Sequence, residues 1–447
     1  MMTTPADART SSTDPIVITG CGWVTPLGDT LDGVWKRMLN AQSGAAAIRG
    51  FDASTFPTTF AAEVDPGWSP SGLKHPKLHE TAGRHTRFAL GAASRAWEQS
   101  GLDGFDGLDR ERLGLYLGAG EGTIDLEHYV STTLAAWDAD AGAVDARAWA
   151  AEALRQFDAD REVEQEPNMP LTHLALEFGA MGPASNCLTA CAASTQAIGE
   201  ACAVLARGEA DVMLSGGAHT MIHPFGVTGF NRLTALSNRN DSPETASRPF
   251  SADRDGFVMG EGAGILVLER RSHAEAREAE ILAEIGGYGA TADAYRITDI
   301  HPEGRGAAAA MRQALEMAGL EPAGVDWIAA HGTGTKENDS IETRAIKSVF
   351  AGADGADLAA VPPVSSIKSM LGHLIAAAGA VQAIACVLAI RDGVLPPTAN
   401  LTTPGPECDL DYVPNEARRK PVTAALSNSF GFGGQNNTLL IRSAQSG

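Results

Sequence analysis

The chain has 447 residues, a formal net charge of −21, 44% hydrophobic residues and only 6% aromatic ones. That length makes two or three domains or one large double-unit fold, while the charge argues against sequence-independent nucleic-acid binding and disfavours an anionic membrane surface. The six cysteines (Cys21, Cys187, Cys191, Cys202, Cys386, Cys408) match no zinc spacing, and a chain this size needs no disulfide staples, so the cytoplasm is the simplest compartment.

Residues 1–14 lack an apolar signal core and read as a disordered leader. Pro15 to Thr19 predicts a short buried strand, after which glycines turn the chain. "HTRFALGAASRAWEQSGL" predicts an amphipathic helix closed by Gly101, and "RLGLYLGAGEG" a buried strand with a glycine turn. From Glu121 to Pro167 many carboxylates face only Arg147, Arg155 and Arg161. This stretch reads as a surface insertion with its own helices, "WAAEALRQF" among them, and most simply as a solvated acidic face. A helix from Ala192 to Leu205, the strand "ADVMLSGGA" and a glycine turn into a strand ending near Arg270 complete the first half, residues 15–270.

The second half, residues 271–447, repeats the style. Strand "ILAEIGGYGAT", helix "GAAAAMRQALEMAGL", strand "VDWIAAHGTGT" and helix "SIETRAIKSVF" lead to "PPVSSIKSMLGH" and a long helix, with "AALSNSFGFGG" and "NTLLIRS" as the last strands. The apolar run Leu374 to Ile390 is interrupted by Gln382 and is short for a membrane span, so it predicts a buried helix. Alternating strands and helices predict an α/β architecture. "STQAIGEACAVLA" and "GAVQAIACVLA" echo one another across the halves, which suggests a duplicated fold.

Cys191 is the first candidate for chemistry, against the plain alternative of a small buried hydrophobe. A thiol at a helix start faces the positive dipole end and unpaired N–H groups, which favours thiolate. Its neighbours Ala190, Ala192, Ala193 and Ser194 leave room for a substrate. Cys187, on the strand side, is expected to pack inward, and no second cysteine pair suggests a metal. His331 ends an apolar strand before Gly-Thr-Gly-Thr, and His373 opens the long apolar helix. Each alone is as readily a satisfied half-buried histidine, but both stand at element ends beside glycine. Gly431, Gly433 and Gly434 around Phe432 make a flexible turn whose N–H groups can approach a ligand. His219 and His223 read as structural.

"TACAAS", "RPFSADRDGFVMGEGAGILVLE", "HGTGTKENDSIE", "SSIKSMLGHLIAAAGA" and "NSFGFGG" occur together. The set resembles the β-ketoacyl-[acyl carrier protein] synthases of the Cys-His-His elongating type, over nearly all of the chain after the leader. The resemblance implies a thiolase-like five-layer αβαβα fold of two similar halves, usually a homodimer, and a decarboxylative Claisen condensation of a Cys-bound acyl group with malonyl-[acyl carrier protein]. Cys191 would carry the acyl thioester. His331 and His373 would donate to the enolate oxygen, the N–H groups of Cys191 and Phe432 would form the oxyanion hole, and Phe432 would gate the site. Lys368 and Glu342 match a supporting polar pair, equally an ordinary buried ion pair. Thr333 and Thr335 match hydroxyls on the phosphopantetheine arm, with Phe430 beside the substrate. No metal or resident cofactor is implied, since phosphopantetheine arrives on the carrier. An acidic carrier protein calls for a local basic patch, for which Lys74, Lys77, Arg84, Arg87, Arg232 and Arg239 are the candidates.

Two features depart from the family pattern. Ala193 replaces a common Thr or Ser, and the acidic insertion with Glu121 at its start stands where the family shapes its acyl pocket. A non-elongating chain-length-factor-like subunit of a ketosynthase heterodimer is the alternative, disfavoured because Cys191 is present. Thiolase and Cys-His-Asn initiation enzymes are disfavoured by His373. Fatty-acid and polyketide pathways share these spellings.

Overall fold

Ten strands, described in a computed structural model over residues 14–297, 300–352 and 357–444, carry the architecture. They are β1 (Ile16–Val24), β2 (Leu113–Gly118), β3 (Ala184–Cys187), β4 (Val212–His219), β5 (Gly262–Arg270), β6 (Ala283–Ala292), β7 (Trp327–Ala329), β8 (Val364–Ser365), β9 (Ala424–Gly431) and β10 (Gln435–Arg442). The expected leader, but for Asp14, lies outside the described residues.

Their spatial order is β8-β7-β9-β10-β6-β1-β5-β4-β2-β3. Read outward from the centre, each half runs the same way. β2 lies parallel to β3 and β4, and β4-β5-β1 is antiparallel. Correspondingly, β7 lies parallel to β8 and β9, and β9-β10-β6 is antiparallel. The duplication hinted at by two Ala-rich helices is therefore written in strand order. A short antiparallel pairing of Ile16–Ile18 with Ala283–Ile285 joins the two five-stranded sheets.

The main helices are α1 (Arg84–Ser100), α2 (Leu126–Ala135), α3 (Ala146–Gln156), α4 (Met169–Phe178), α5 (Ala193–Ala206), α6 (Arg305–Ala318), α7 (Lys336–Phe350) and α8 (Ala378–Asp392). α1 packs on β1 and β5 with α4 beside it, and α6 packs on β6 and β10 with α7 beside it. α5 and α8 touch strands of both halves and each other, so the layers run helix, sheet, helix, sheet, helix. This is the thiolase-like five-layer fold. A helix between two sheets has no solvent face, which explains why α8 is buried on every side. Among the described residues it belongs to the one helical stretch apolar and long enough for a membrane span, and 83% of that stretch is buried in the protein.

β1 is longer than its sequence suggests, because Gly20 and Gly22 do not turn the chain. They lie inside the strand, where a Cβ would sit 2.1 Å from the Ala96 carbonyl oxygen or 2.2 Å from that of Ala92. Glycine here permits close strand–helix packing. α7 starts a turn earlier than expected, since Thr335 caps it by accepting from the Asn338 N–H at 3.4 Å. The insertion carries α2, a two-residue hairpin at Trp137–Asp138 and Ala143–Val144, α3 and a short helix at Ala159–Val163. Its surface is not purely polar, for Leu134, Trp137 and Leu154 are exposed.

Candidate active site

Cys191 sits in a 3-10 turn, Ala190–Ala192, that leads from β3 into α5. Ala190 before it has φ +48°, a left-handed conformation that costs a non-glycine residue strain. That turn lifts Cys191 against the β9–β10 loop. Gly431 is needed there, because a Cβ would lie 2.8 Å from the Thr189 oxygen and 3.3 Å from the Cys191 nitrogen. The thiol is not held as thiolate. Burial pushes it up to about 11, and the opposing pull of Lys368 and of the Phe432 and Cys191 N–H groups does not overcome that. The helix start expected to lower it is present, but desolvation dominates. Cys187 packs inward, its Sγ donating to the Ala193 carbonyl at 3.2 Å, and burial raises its thiol to about 12.

His331 follows β7, and His373 follows the one-turn helix Lys368–Leu371. The structure brings both to Cys191, with one nitrogen of each ring and the Cys191 Sγ all within 4.8 Å of one another. The rings meet edge to face at 5.4 Å between centroids. Nδ1 of His373 accepts from the Ile375 N–H at 3.3 Å. Its proton is therefore on Nε2, which is buried and, like Nδ1 of His331, without a partner among the described residues. Burial first, then the charge of Lys368, holds both imidazoles well below their usual range, so both are neutral.

Lys368 and Glu342 are buried behind the histidines, but they do not form the direct ion pair that was one reading of them. Glu342 accepts from the His331 N–H at 2.8 Å and the Gly332 N–H at 2.7 Å, which fixes the turn that carries His331. Lys368 Nζ donates to Oε1 of Gln382 at 3.3 Å. Gln382 Nε2 in turn faces the Ala329 carbonyl at 2.7 Å, Ser427 Oγ at 3.1 Å and the Asn428 carbonyl at 3.0 Å. Asn428 Nδ2 completes the link to Glu342 at 3.3 Å. Burial lowers the Lys368 ammonium and raises the Glu342 carboxyl, each partly offset by its neighbours. Sequence reasoning missed Gln382 and Asn428. The signal for the first was on the page, as the polar interruption of an otherwise apolar helix.

A cavity of about 690 Å3 opens onto Cys191, His331 and His373, with Thr333, Thr335, Phe257, Phe430 and Phe432 in its wall. Thr333 and Thr335 hydroxyls meet at 3.0 Å, Phe430 is buried against His331, and Phe432 is 41% exposed. The basic residues expected to receive a carrier divide. Arg84 and Arg87 line a separate cavity of about 480 Å3, Lys74 pairs with Asp103, and Arg239 is held by Asp253 at 3.0 Å. Lys77 is exposed on the turn Pro76–His79, away from the cavity wall. Arg232 precedes the lining residue Leu233, and Lys336 and Arg344 line the same cavity, Arg344 pairing with Glu407 at 3.6 Å. Sequence reasoning did not pick Lys336 or Arg344.

His223 is structural as read, its Nδ1 accepting from the Gly226 N–H at 3.2 Å to cap the helix Pro224–Arg232. His219 is buried as well, its Nε2 bonding Glu121 at 3.2 Å. That bond brings the Glu121 carboxyl down to about 2.

Two family models match the chain, the beta-ketoacyl synthase N-terminal domain over residues 13–274 and the C-terminal domain over 282–402. A 3-oxoacyl-[acyl-carrier-protein] synthase 2 of Coxiella burnetii is 40% identical over 427 residues, 95% of this chain and 98% of that protein. Among solved structures, a type II polyketide synthase ketosynthase in complex with its acyl-carrier protein is 31% identical, with a TM-score of 0.83, over 97% of this chain and 100% of that one. The ishigamide ketosynthase/chain length factor is 33% identical, also with a TM-score of 0.83, over 97% of this chain and 100% of that one.

Proposed function

The chain belongs to the β-ketoacyl synthase family, a condensing acyltransferase family, and from that premise we propose that Cys191 is its nucleophile and that His331 and His373 stabilise the enolate. One observation carries the assignment: a buried thiol and two neutral imidazoles with unpartnered nitrogens converge at the end of one cavity.

The enzyme joins a Cys-bound acyl group to malonyl-[acyl carrier protein] with loss of CO2. In the first step the sulfur of Cys191 attacks the incoming thioester. The tetrahedral oxyanion lies between the N–H groups of Cys191 and Phe432, and the carrier's thiol leaves, taking up the proton that Cys191 gives up. In the second step the C–C bond to the malonyl carboxylate breaks. Its electron pair becomes an enolate, whose oxygen accepts from Nε2–H of His373 and from His331. The enolate carbon then attacks the Cys191 thioester, and the sulfur departs as thiolate and takes up one proton from solvent to restore the thiol. Neutral imidazoles suit this role, because a donor that keeps its proton stabilises the developing charge without a transfer.

Lys368, Gln382, Asn428 and Glu342 act as positioning residues, fixing the two histidine turns. Thr333 and Thr335 receive the pantetheine arm, Phe430 lies along it, and exposed Phe432 gates the mouth. No resident cofactor is required in this scheme. The carrier approaches at Arg232, Lys336 and Arg344. A homodimer is supported by β3, which ends the sheet with Ala184 and Ser185 exposed, and by exposed Met181 and Leu188 at its two ends. A heterodimer with a related subunit would use the same edge. The boundary between the halves is set at residues 270–271, where β5 ends. Six free thiols fit the cytoplasm. The deciding test is incubation with acyl carrier protein donors followed by mass spectrometry. The acyl group on Cys191, with CO2 release from malonyl carrier protein, supports the reading, and an unmodified Cys191 in active protein overturns it.

A further inference from the structure

Away from Cys191, four buried side chains form one continuous hydrogen-bonded chain. Glu177 Oε2 faces His79 Nε2 at 2.9 Å, His79 Nδ1 faces His173 Nδ1 at 2.8 Å, and His173 Nε2 faces Glu164 Oε1 at 2.8 Å. No side chain in it is more than 5% exposed. Backbone also bonds the carboxylates: Glu177 accepts from the Lys74 N–H at 2.5 Å and the His75 N–H at 3.2 Å, and Glu164 from the Gly83 N–H at 3.0 Å.

Three gaps at hydrogen-bond distance need three protons. Two carboxylates and two neutral imidazoles hold only two, so the intact chain carries one extra, shared proton. With two protons one gap sets lone pair against lone pair, and with four it sets proton against proton. Either opens the chain. We propose that Glu177, His79, His173 and Glu164 form a pH-sensitive latch, which fastens the exit of the 121–167 insertion to the body of the enzyme.

The latch ties the turn at His79 to the stretch from Glu164 to Glu177, more than eighty residues on. His79 lies in the turn Pro76–His79, and His173 and Glu177 on α4, which packs on α1. Glu164 belongs to the insertion, where its carbonyl accepts from the Thr123 N–H at 2.9 Å. Gly122 is pressed so closely to Gln165 that a Cβ would lie 2.1 Å from its oxygen. Closing the latch therefore fixes the backbone beside Glu121, whose carboxylate bonds His219. The latch thus holds the two ends of the acidic insertion together.

The other charges around it are committed elsewhere. His85 on α1 bonds Thr123 Oγ1 at 3.0 Å, and burial holds it down to about 4, below the range in which the latch is tested. Lys74 pairs with Asp103, Arg161 with Asp125 and Arg84 with Glu261. Arg87 donates to the Ala82 and Glu80 carbonyls, and Arg110 to that of Phe178. Thus the shared proton is offset within the latch by its two carboxylates, which leave it one net negative charge.

The test is amide hydrogen exchange of the whole enzyme, corrected for intrinsic rates, from about pH 5 to about pH 9 in peptides covering Gly83, Thr123 and Glu164. Protection should pass through a maximum and fall about tenfold on both sides, and His79→Gln should flatten that maximum. Glu164→Gln keeps an acceptor but removes a charge, so it should move the alkaline limb to lower pH. Protection that stays level across the range, or a maximum unchanged in His79→Gln, overturns the latch. Should a variant not fold, the wild type still decides. Ring-nitrogen NMR at the protection maximum should show three of the four His79 and His173 nitrogens protonated, and two or four overturn the proposal.

Discussion

Ala190 and Ile375 hold the same left-handed backbone conformation, with φ +48° and +47°, at the same place in the two halves. Each is the first residue of a 3-10 turn that opens a central helix, α5 or α8. Cys191 follows the first, and His373 precedes the second by two residues. The duplicated fold thus sets the proposed nucleophile and one proposed enolate-binding histidine at two copies of one strained turn. Relieving the strain at Ala190 by glycine should raise stability by about 1 kcal/mol, since only glycine adopts this region freely. Acyl loading should slow, because the sulfur is then less firmly aimed. Urea melts and loading kinetics measured together check this. A variant that gains stability and loads at the wild-type rate would show the strain to be idle.

Burial of the thiol makes a second expectation. With Cys191 held up to about 11, the sulfur is protonated at neutral pH, and its thiolate fraction rises as pH approaches that value. Alkylation of Cys191 by iodoacetamide should accelerate about tenfold per pH unit across the neutral and mildly alkaline range. A plateau below about pH 8 would mean that the helix start and Lys368 outweigh burial after all. Cys191→Ser should abolish acyl-enzyme formation, and Cys187→Ser should leave it intact.

The histidines give a third prediction, on stability as well as rate. His331 and His373 have folded values well below their unfolded one, and His85 is held near 4, chiefly by burial. Below about pH 6.5 the unfolded chain binds protons that the folded chain does not, so stability falls with acidification. Each such histidine adds about 1.4 kcal/mol per pH unit to the slope, down to its own folded value. His331→Ala and His373→Ala should each shallow that slope in urea melts. Each should also slow CO2 release from malonyl carrier protein by roughly 100-fold or more, with a much smaller effect on loading. Equal loss of both steps would assign that histidine a structural role.

Gln382 shows where sequence legibility ended. Cys191, His331 and His373 stand out in the sequence because each signal is local, a residue at an element end among small neighbours, whereas the five layers follow only from the family resemblance of the motifs taken together. The lysine–glutamate support is not local. It runs from Lys368 through Gln382 and Asn428 to Glu342, four residues on four elements, and their bonding depends on how α8 lies across β7 and β9. The glycines of β1 misled for the same reason, since a strand interior and a turn look alike until the helix that needs the space is known. Replacing Gln382 by Leu should lower kcat for decarboxylation with little change in KM, and cost about 1.5–3 kcal/mol of stability for the unpaired ammonium. Gln382→Glu keeps an acceptor for Lys368 but sets an oxygen against the Ala329 and Asn428 carbonyls, so it should recover neither in full. An unchanged kcat in Gln382→Leu would reduce Gln382 to a packing residue.

The carrier surface follows the structure more than the sequence. Lys336 and Arg344 line the cavity that holds Cys191, while Arg84 and Arg87 serve another cavity. Charge reversal at Lys336 and Arg344 should raise KM for the carrier substrate several-fold at low salt and less at high salt, as steering by exposed charge does. The same reversal at Lys77 should change little. The opposite ranking would move the dock to the His75–Arg87 side.

Removal of part of the insertion tests what that segment is for. The acidic stretch contributes nothing to the cysteine and histidine turns, but it begins at Glu121, beside His219, and ends at the buried Glu164. Trimming must therefore stop short of Glu164, or a broken anchor would be mistaken for a lost pocket wall. A deletion of residues 138–157, closed by a short glycine linker, removes the exposed hairpin and α3 and leaves both anchors in place. If the segment caps the acyl pocket, the chain lengths that load onto Cys191 should shift while turnover on short chains persists. If it is a solvated flap, only solubility should change. Exposed Leu134, Trp137 and Leu154 add a third outcome, because they offer an apolar face that a second subunit could cover. Light scattering beside the chain-length series separates it: a dimer that dissociates on trimming assigns the segment to the interface, and an intact dimer with altered selectivity assigns it to the pocket.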